Sequence, residues 1–171
     1  TVVGEYKTSS NGTIVATGLK AGTYVCEEIS APDGYVITDA TETVYLSGKD
    51  QDVITVTFGN DKMGSLLIVK KDAVTGKALK GVTFTVTTSS GQFVADAEGQ
   101  ISSNGLYYTD ENGKIILSGL APDTYVVTET ATIPGYVLDS TPQTVVVNAN
   151  DTQTLTFTNR PIGGLILIKS D

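Results

Sequence analysis

Three observations predict that this chain is an all-β protein folded as a sandwich. Short runs rich in Thr, Val, Ile and Tyr alternate between apolar and polar side chains, a period of two that is typical of strands with one buried face. Gly, Asn, Asp, Pro and Ser separate these runs, as expected of tight turns. No window has the apolar spacing of an amphipathic helix, so closely spaced strands favour two packed sheets.

The alternating runs predict strands in both halves of the chain. In chain order they are residues 13–16, 23–28, 53–58, 82–86, 114–117, 124–127, 144–147 and 154–157. Three Asn-Gly pairs predict hairpin-type turns because both residue types tolerate positive φ, and these are Asn11-Gly12, Asn104-Gly105 and Asn112-Gly113.

Composition excludes most conventional enzyme chemistry. The 171 residues contain 11 basic and 19 acidic side chains, no histidine and one cysteine, and the net charge is −8. Without histidine there is no imidazole base or ligand, and a single thiol makes neither a disulfide framework nor a thiolate metal site. We therefore expect no cofactor and no metal. The acidic balance disfavours nucleic acid and anionic membranes as partners, and no apolar run approaches the roughly 20 residues of a membrane span, so we expect no membrane insertion of this segment. Cys26 fits a buried apolar position better than a reactive thiol.

The chain repeats itself at an interval of about 100 residues, which indicates a tandem array. The matching segments are residues 11–19 with 112–120, 22–28 with 123–129, 56–60 with 155–159, and 64–72 with 163–171. We therefore interpret residues 1–62 as the later part of one unit, residues 63–161 as a complete unit and residues 162–171 as the first strand of a third. An alternative is that the last strand is donated to residues 1–62 of a neighbouring copy.

Three polar residues at strand ends are predicted to face the core of the complete unit. Period-two alternation places Lys70, Glu129 and Asn159 on the same faces as the apolar residues that precede them. Burying each one without a partner is costly, so we expect them to meet. One interpretation is a buried Lys–Glu pair bridged by the Asn amide. The other is chemistry, because a desolvated neutral amine is a nucleophile that could join the Asn carbonyl and expel ammonia.

Three motifs frame the complete unit. They are residues 64–84 at its start, Tyr125-Val126-Val127-Thr128-Glu129-Thr130 with Pro134-Gly135-Tyr136, and Thr156-Phe157-Thr158-Asn159 at its end. Together they resemble the opening, the E-box and the closing strand of the collagen-adhesin B-type (CnaB, SpaA-like) domains of Gram-positive surface proteins and pilins. The resemblance implies tandem inverse immunoglobulin-like (transthyretin-like) sandwiches, each with an intramolecular isopeptide bond.

By position, the resemblance implies that Lys70 is the nucleophile, Glu129 the catalytic acid and Asn159 the acceptor. Lys71 is the rival nucleophile, but alternation places it on the outward face. Residues 1–62 have Glu28 and Asn60 at matching positions, and Lys169 matches the nucleophile in residues 162–171.

The complete unit departs from the family pattern after Glu129. Its segment Ala131-Thr132-Ile133-Pro134-Gly135-Tyr136 lacks the usual Pro-x-Gly spacing. The conformation of this loop is therefore left open by the sequence.

The function implied is structural. We expect a stalk segment of a bacterial adhesin or pilus-like fibre, outside the cell or anchored to its wall, that crosslinks itself once and is not an enzyme. Its expected partners are neighbouring repeats or copies in the fibre, with host ligands bound through a separate tip domain. The alternative is a ligand-binding module that recognises a host protein or glycan through its loops. An exposed aromatic cluster would favour that alternative, but of the adjacent Tyr107 and Tyr108 one must face inward.

Overall fold

The fold, seen in a computed structural model, is described for residues 1–49, 53–94 and 105–170. These residues form eleven strands and no helix, which confirms the all-β prediction. The strands are β1 (Gly22–Glu27), β2 (Tyr35–Ile37), β3 (Thr41–Leu46), β4 (Asn60–Lys62), β5 (Gly64–Asp72), β6 (Thr83–Thr88), β7 (Leu106–Tyr108), β8 (Lys114–Leu120), β9 (Asp123–Ala131), β10 (Gln143–Val147) and β11 (Thr152–Asn159).

The chain divides into two compact units. The first comprises Thr1–Ile29 and Asp39–Phe58, and its regular structure is the antiparallel pair β1–β3. The second comprises Ser30–Thr38 and Gly59–Asp171 and contains the other nine strands that the structure describes.

The second unit is a sandwich of two sheets. One sheet has the order β10-β9-β6-β7 and the other the order β11-β5-β8, while β2 and β4 form a separate pair. In the three-stranded sheet, β5 lies between β11, which runs parallel to it, and β8, which runs antiparallel. The first and last strands of the predicted unit are therefore direct neighbours.

The core between the two sheets follows the period-two pattern of the sequence. Along β5, Leu66 and Ile68 are fully buried, whereas Lys71 is exposed. Phe84 and Phe157 meet across the core edge to face, with ring centroids 4.9 Å apart. Burial of each such side chain contributes about 1.5–3 kcal/mol to folding, so this face determines the register of the strands.

The two units contain hairpins with the same register. Tyr24 is paired with Val44 in β1–β3, and Tyr125 is paired with Val145 in β9–β10. In both hairpins the tyrosine hydroxyl donates a hydrogen bond to the backbone carbonyl four residues earlier, at 2.9 Å for Tyr24 and 2.7 Å for Tyr125. This shared geometry supports the interpretation of the sequence as a repeat.

Three predicted strands are not formed in the described chain. Residues 13–16, 53–58 and 163–170 have no assigned strand, and Leu165 to Ile168 are more than 80% exposed. In the second unit, the segments equivalent to the first two pair with opposite edges of β5. Residues 1–62 contain no segment equivalent to β5, and no described strand pairs with residues 163–170. A strand needs a neighbour to satisfy its backbone groups, so the alternating pattern alone is insufficient.

The predicted turns are formed, but not always as hairpins. Gly12 donates its backbone N–H to the Ser9 carbonyl, and Gly113 donates to the Asp110 carbonyl. The Gly113 turn connects β7 with β8, which lie in different sheets, so it crosses the sandwich and is not a hairpin turn. The residue Asn104 of the third pair lies outside the described residues, although Gly105 has the expected positive φ of 68°.

The structure also places Cys26 and the two adjacent tyrosines. Cys26 is partly buried on the inward side of β1. Tyr107 is buried and Tyr108 is 61% exposed, so this pair does not form an exposed aromatic cluster. Within the described ranges, no helix is long and apolar enough to cross a membrane, and no group of His, Cys, Asp or Glu residues is arranged to hold a metal ion.

Candidate crosslinking site

The ends of three strands bring Lys70, Glu129 and Asn159 together inside the sandwich. Lys70 lies on β5 and Asn159 ends β11, and the parallel register pairs Lys70 with Phe157. Glu129 lies on β9 of the opposite sheet, where it pairs with Phe84 of β6. The three polar side chains therefore converge from both layers of the sandwich.

These three side chains form a closed triangle of hydrogen bonds. Lys70 Nζ donates to Glu129 Oε2 and to Asn159 Oδ1, each at 2.6 Å. Asn159 Nδ2 donates to Glu129 Oε1, also at 2.6 Å. The carboxylate of Glu129 thus contacts both nitrogen atoms, one with each oxygen, while the amide carbonyl faces the amine.

The triangle is sealed from solvent. Lys70 and Glu129 have no exposed surface, and Asn159 is 1% exposed. Burial lowers the pKa of the Lys70 ammonium below its ordinary value, although the hydrogen bond and the charge of Glu129 act in the opposite direction. The site therefore favours the neutral amine more than an exposed lysine position would.

The backbone of Lys70 is held by a glycine turn. Lys70 N donates to the Gly113 carbonyl at 2.7 Å. Gly113 has a φ of +67°, and a Cβ at this position would lie 2.4 Å from the Lys70 carbonyl oxygen. Only glycine combines this conformation with so close an approach. The predicted Asn112-Gly113 turn therefore contributes directly to the placement of Lys70.

Asp72 and Tyr136 join two loops beside the triangle. Asp72 accepts hydrogen bonds from the backbone N–H groups of Val74 and Thr75, at 2.7 and 2.9 Å, and from the Tyr136 hydroxyl at 2.8 Å. These bonds lower the pKa of the Asp72 carboxyl to about 2. The hydrogen bond between Tyr136 and Asp72 also raises the pKa of the Tyr136 hydroxyl. The loop after β9 is thereby attached to the turn after β5.

The loop that departs from the family pattern forms an ordinary turn. Tyr136 N donates to the Ile133 carbonyl at 3.3 Å, and Gly135 occupies the third position with a φ of +89°. In the first repeat Tyr35 N donates to the Pro32 carbonyl at 3.1 Å, and Gly34 has a φ of +80°. Both turns place glycine where a type II turn requires positive φ. The altered position of proline therefore leaves the turn conformation unchanged.

Thr132 is a fourth member of the site that the sequence pattern does not identify. It follows the last residue of β9, and its Oγ1 accepts a hydrogen bond from Asn159 Nδ2 at 2.6 Å. Alternation ends with the strand, so no periodic signal reaches Thr132. Asp72 could have been identified, because it shares the inward face of β5 with Lys70.

The remaining candidate residues lie outside the triangle. Lys71 is exposed on the outward face of β5. Glu28 follows β1 and is partly buried, and Asn60 begins β4 and is also partly buried. Lys169 is exposed in the segment without an assigned strand.

The triangle contains the parts needed for amide exchange. It has an amine whose positive charge is disfavoured by burial, a carboxamide whose carbonyl faces that amine, and a carboxylate that reaches both nitrogens. Such an arrangement supports proton transfer between the two nitrogen atoms through one group. All three groups belong to the same chain, so the reaction would be intramolecular.

Comparisons with known proteins agree with this fold. The family model described as SpaA, prealbumin-like fold domain, matches residues 1–62 and 64–161. Among solved structures, the chain is similar to the Bacillus anthracis TIE protein, with 23% identity and a TM-score of 0.55 over 91% of this chain. It is also similar to GBS52, the minor pilin of Streptococcus agalactiae, with 20% identity and a TM-score of 0.51 over 95% of this chain.

A third similar structure is the pilus 2b backbone protein of group B streptococcus, with 23% identity and a TM-score of 0.52 over 79% of this chain. The chain spans 28% of the TIE protein structure, 70% of GBS52 and 52% of the backbone protein. No curated protein sequence is significantly similar to it.

Proposed function

The chain belongs to the SpaA family of prealbumin-like fold domains, and from that premise we propose that it is a structural segment of a Gram-positive surface stalk or pilus-like fibre. The single observation that carries this proposal is the buried triangle of Lys70, Glu129 and Asn159. Two of the similar structures are a minor pilin and a pilus backbone protein, which supports a place in a fibre outside the cell.

We propose that the triangle forms an isopeptide bond between Lys70 and Asn159. Glu129 Oε2 accepts a proton from the Lys70 ammonium, which exposes the lone pair of Nζ. Nζ then attacks Asn159 Cγ, and the electron pair of the carbonyl moves to Oδ1. Desolvation favours the first step because the ion pair becomes two neutral groups.

Glu129 transfers the proton that the reaction moves from Lys70 Nζ to Asn159 Nδ2. Collapse of the tetrahedral intermediate breaks the bond between Cγ and Nδ2, and Nδ2 leaves as ammonia after it receives one proton. Two protons leave Nζ in total, of which one ends on ammonia and the other remains on the Glu129 carboxyl. Since Glu129 Oε1 already contacts Nδ2 at 2.6 Å, the carboxyl can return a proton to the leaving nitrogen. Each chain reacts once, so the protein is not an enzyme.

The position of the bond gives it a mechanical role. It would join β5 to β11, the adjacent first and last strands of the sandwich. Force that enters at the start of β5 would pass from Lys70 to Asn159 through a covalent bond. The strands between these residues would carry no load, and this property suits a stalk of tandem repeats.

The same chemistry is proposed for the partial sets of residues. Glu28 and Asn60 correspond to the acid and the acceptor of the first repeat, whose lysine is not among residues 1–62. Lys169 corresponds to the nucleophile of the last segment. Its acceptor would be an Asn of a following unit or Asn60 of a neighbouring copy.

The experiment that tests the proposal is intact mass spectrometry of the full 171-residue chain beside Glu129→Ala. We expect the first to lack one ammonia and the second to have its full calculated mass. Glu111→Ala is a matched control, because Glu111 forms an exposed ion pair with Lys80 on the surface. A full mass for the unsubstituted chain would reduce the triangle to a buried polar cluster and remove the mechanical basis of the stalk.

A further inference from the structure

Asn159 Nδ2 has two hydrogen atoms, and the structure provides a separate acceptor for each. One acceptor is Glu129 Oε1 and the other is Thr132 Oγ1, each at 2.6 Å from the nitrogen. The carbonyl oxygen of the same carboxamide accepts from Lys70 Nζ. Lys70 and Glu129 therefore determine which end of the amide faces the amine, and the contact with Thr132 fixes the position of its nitrogen.

We propose that Thr132 is a positioning residue for the Lys70–Asn159 condensation, a role that rests on the function proposed above. The reaction requires that the nitrogen of the carboxamide, and not its oxygen, lies on the side away from Lys70. A carboxamide rotated by half a turn would present N–H groups to the lysine and its oxygen to Glu129 and Thr132. The Lys70 ammonium, which only donates, and the Glu129 carboxylate, which only accepts, disfavour that orientation. In the reactive orientation, the Thr132 hydroxyl accepts from the leaving nitrogen and holds it in place.

The fold of the loop does not require this hydroxyl. When the two turns are aligned on Tyr35 and Tyr136, the residue four positions before the tyrosine is Ala31 in the first repeat and Thr132 in the second. Both turns close with the same backbone hydrogen bond and with glycine at the same position. The hydroxyl of Thr132 is therefore an addition to a turn that forms without it.

Geometry also separates Thr132 from proton transfer. Both oxygens of Glu129 are engaged by the two reacting nitrogens, so the acid–base route is complete without a threonine. Thr132 acts through the orientation of Asn159. Its removal should slow the reaction at every pH and leave the pH dependence of the rate unchanged, because Lys70 and Glu129 remain in place.

The test is a time course of ammonia loss in the full chain made by a short pulse of cell-free synthesis. Samples are quenched in acid and their intact masses are measured, for the unsubstituted chain, Thr132→Val, Thr132→Ser and Thr132→Ala. Val keeps a similar shape without the hydroxyl, and Ser keeps the hydroxyl in a smaller side chain. Circular dichroism of each purified variant confirms that it is folded.

We expect Thr132→Val and Thr132→Ala to react about tenfold more slowly, the effect of losing one hydrogen bond that orients the reacting group. Thr132→Ser should react at close to the original rate, and all four chains should share one pH profile. Equal rates for the unsubstituted chain and Thr132→Val, or a serine variant as slow as valine, would refute the positioning role and leave the crosslink itself intact. A folded, unsubstituted chain that never loses ammonia would overturn both proposals.

Discussion

Tyr136 donates a hydrogen bond from its hydroxyl to the Asp72 carboxylate, with 2.8 Å between the oxygen atoms and 64 positions between the residues. This contact connects the loop that follows Glu129 with the turn that follows Lys70. The two loops continue the strands that carry the proposed acid and nucleophile. Asp72 and Tyr136 therefore stabilise the relative position of two members of the triangle without touching the reacting atoms.

The first prediction concerns the acid dependence of stability. Asp72 has a pKa of about 2 in the folded chain, against an ordinary value of 3.8. Because the folded pKa is the lower one, the unfolded state binds more protons, and the stabilisation is complete above pH 3.8 and is lost as the pH falls through about 2. In urea denaturation between pH values of about 2 and 3.8, the free energy of unfolding of Asp72→Asn should depend less steeply on pH than that of the unsubstituted chain. The exposed control Asp33→Asn should keep the pH dependence of the unsubstituted chain, and equal slopes for all three chains would contradict the assignment.

The second prediction concerns the glycine beside Lys70. Gly113→Ala should destabilise the chain and slow the loss of ammonia, because the new Cβ would lie 2.4 Å from the Lys70 carbonyl oxygen. Gly76→Ala is the matched control, since Gly76 has a similar positive φ of 73° but no atom within 4 Å of the added Cβ. Conformational strain alone costs about 1–3 kcal/mol at either position. Denaturant unfolding should therefore show a larger loss for Gly113→Ala, and an equal loss would mean that the close approach relaxes freely.

The sequence predicted all three members of the triangle because they lie on regular strands. A period of two is enough to place Lys70, Glu129 and Asn159 on inward faces, and the cost of burying polar groups predicts that they meet. Thr132 was not predicted, because it lies beyond the end of β9, where side-chain direction depends on the loop and not on a period. The turn before Tyr136 was also left open, because a shifted proline does not by itself specify where the left-handed glycine lies.

Strand formation was overpredicted for a different reason. Residues 13–16 and 163–170 carry the same alternating pattern as β8 and β5, yet neither is a strand in the described chain. The pattern reports which faces could be buried, whereas pairing depends on a neighbour distant in sequence. The central position of β5 between β8 and β11 shows how much of one sheet depends on a single strand.

The third prediction concerns the stability contributed by the crosslink. A bond between residues 89 positions apart should stabilise the second unit by about 4–5 kcal/mol, by analogy with a disulfide that closes a loop of that size. The reference is the double variant Lys70→Met with Glu129→Gln, which removes both charges together and leaves no unpaired ion in the core. Denaturant unfolding of the reacted chain and the double variant measures the difference. Equal free energies of unfolding would contradict the predicted contribution.

The fourth prediction concerns the number of bonds. We expect the full chain to lose one ammonia and to remain monomeric on a denaturing gel, because only Lys70 has both an acid and an acceptor at the repeat spacing within these 171 residues. Lys169→Arg and the exposed control Lys71→Arg should behave like the unsubstituted chain. A ladder of covalent oligomers that disappears in Lys169→Arg and in Asn60→Ala would instead identify a strand donated between copies.

The fifth prediction follows from the parallel arrangement of β5 and β11. Force applied to the two ends of the chain reaches Lys70 from one side and Asn159 from the other. If the bond is present, the residues between them cannot be extended, although the first unit can be. In single-molecule pulling, Glu129→Ala should therefore gain an extension step of roughly 300 Å, the length of 89 residues drawn out at about 3.3–3.6 Å each. Glu111→Ala should lack this step, as should the unsubstituted chain. A step of that length in the unsubstituted chain would mean that force unfolds the sandwich, which is incompatible with a covalent path from β5 to β11.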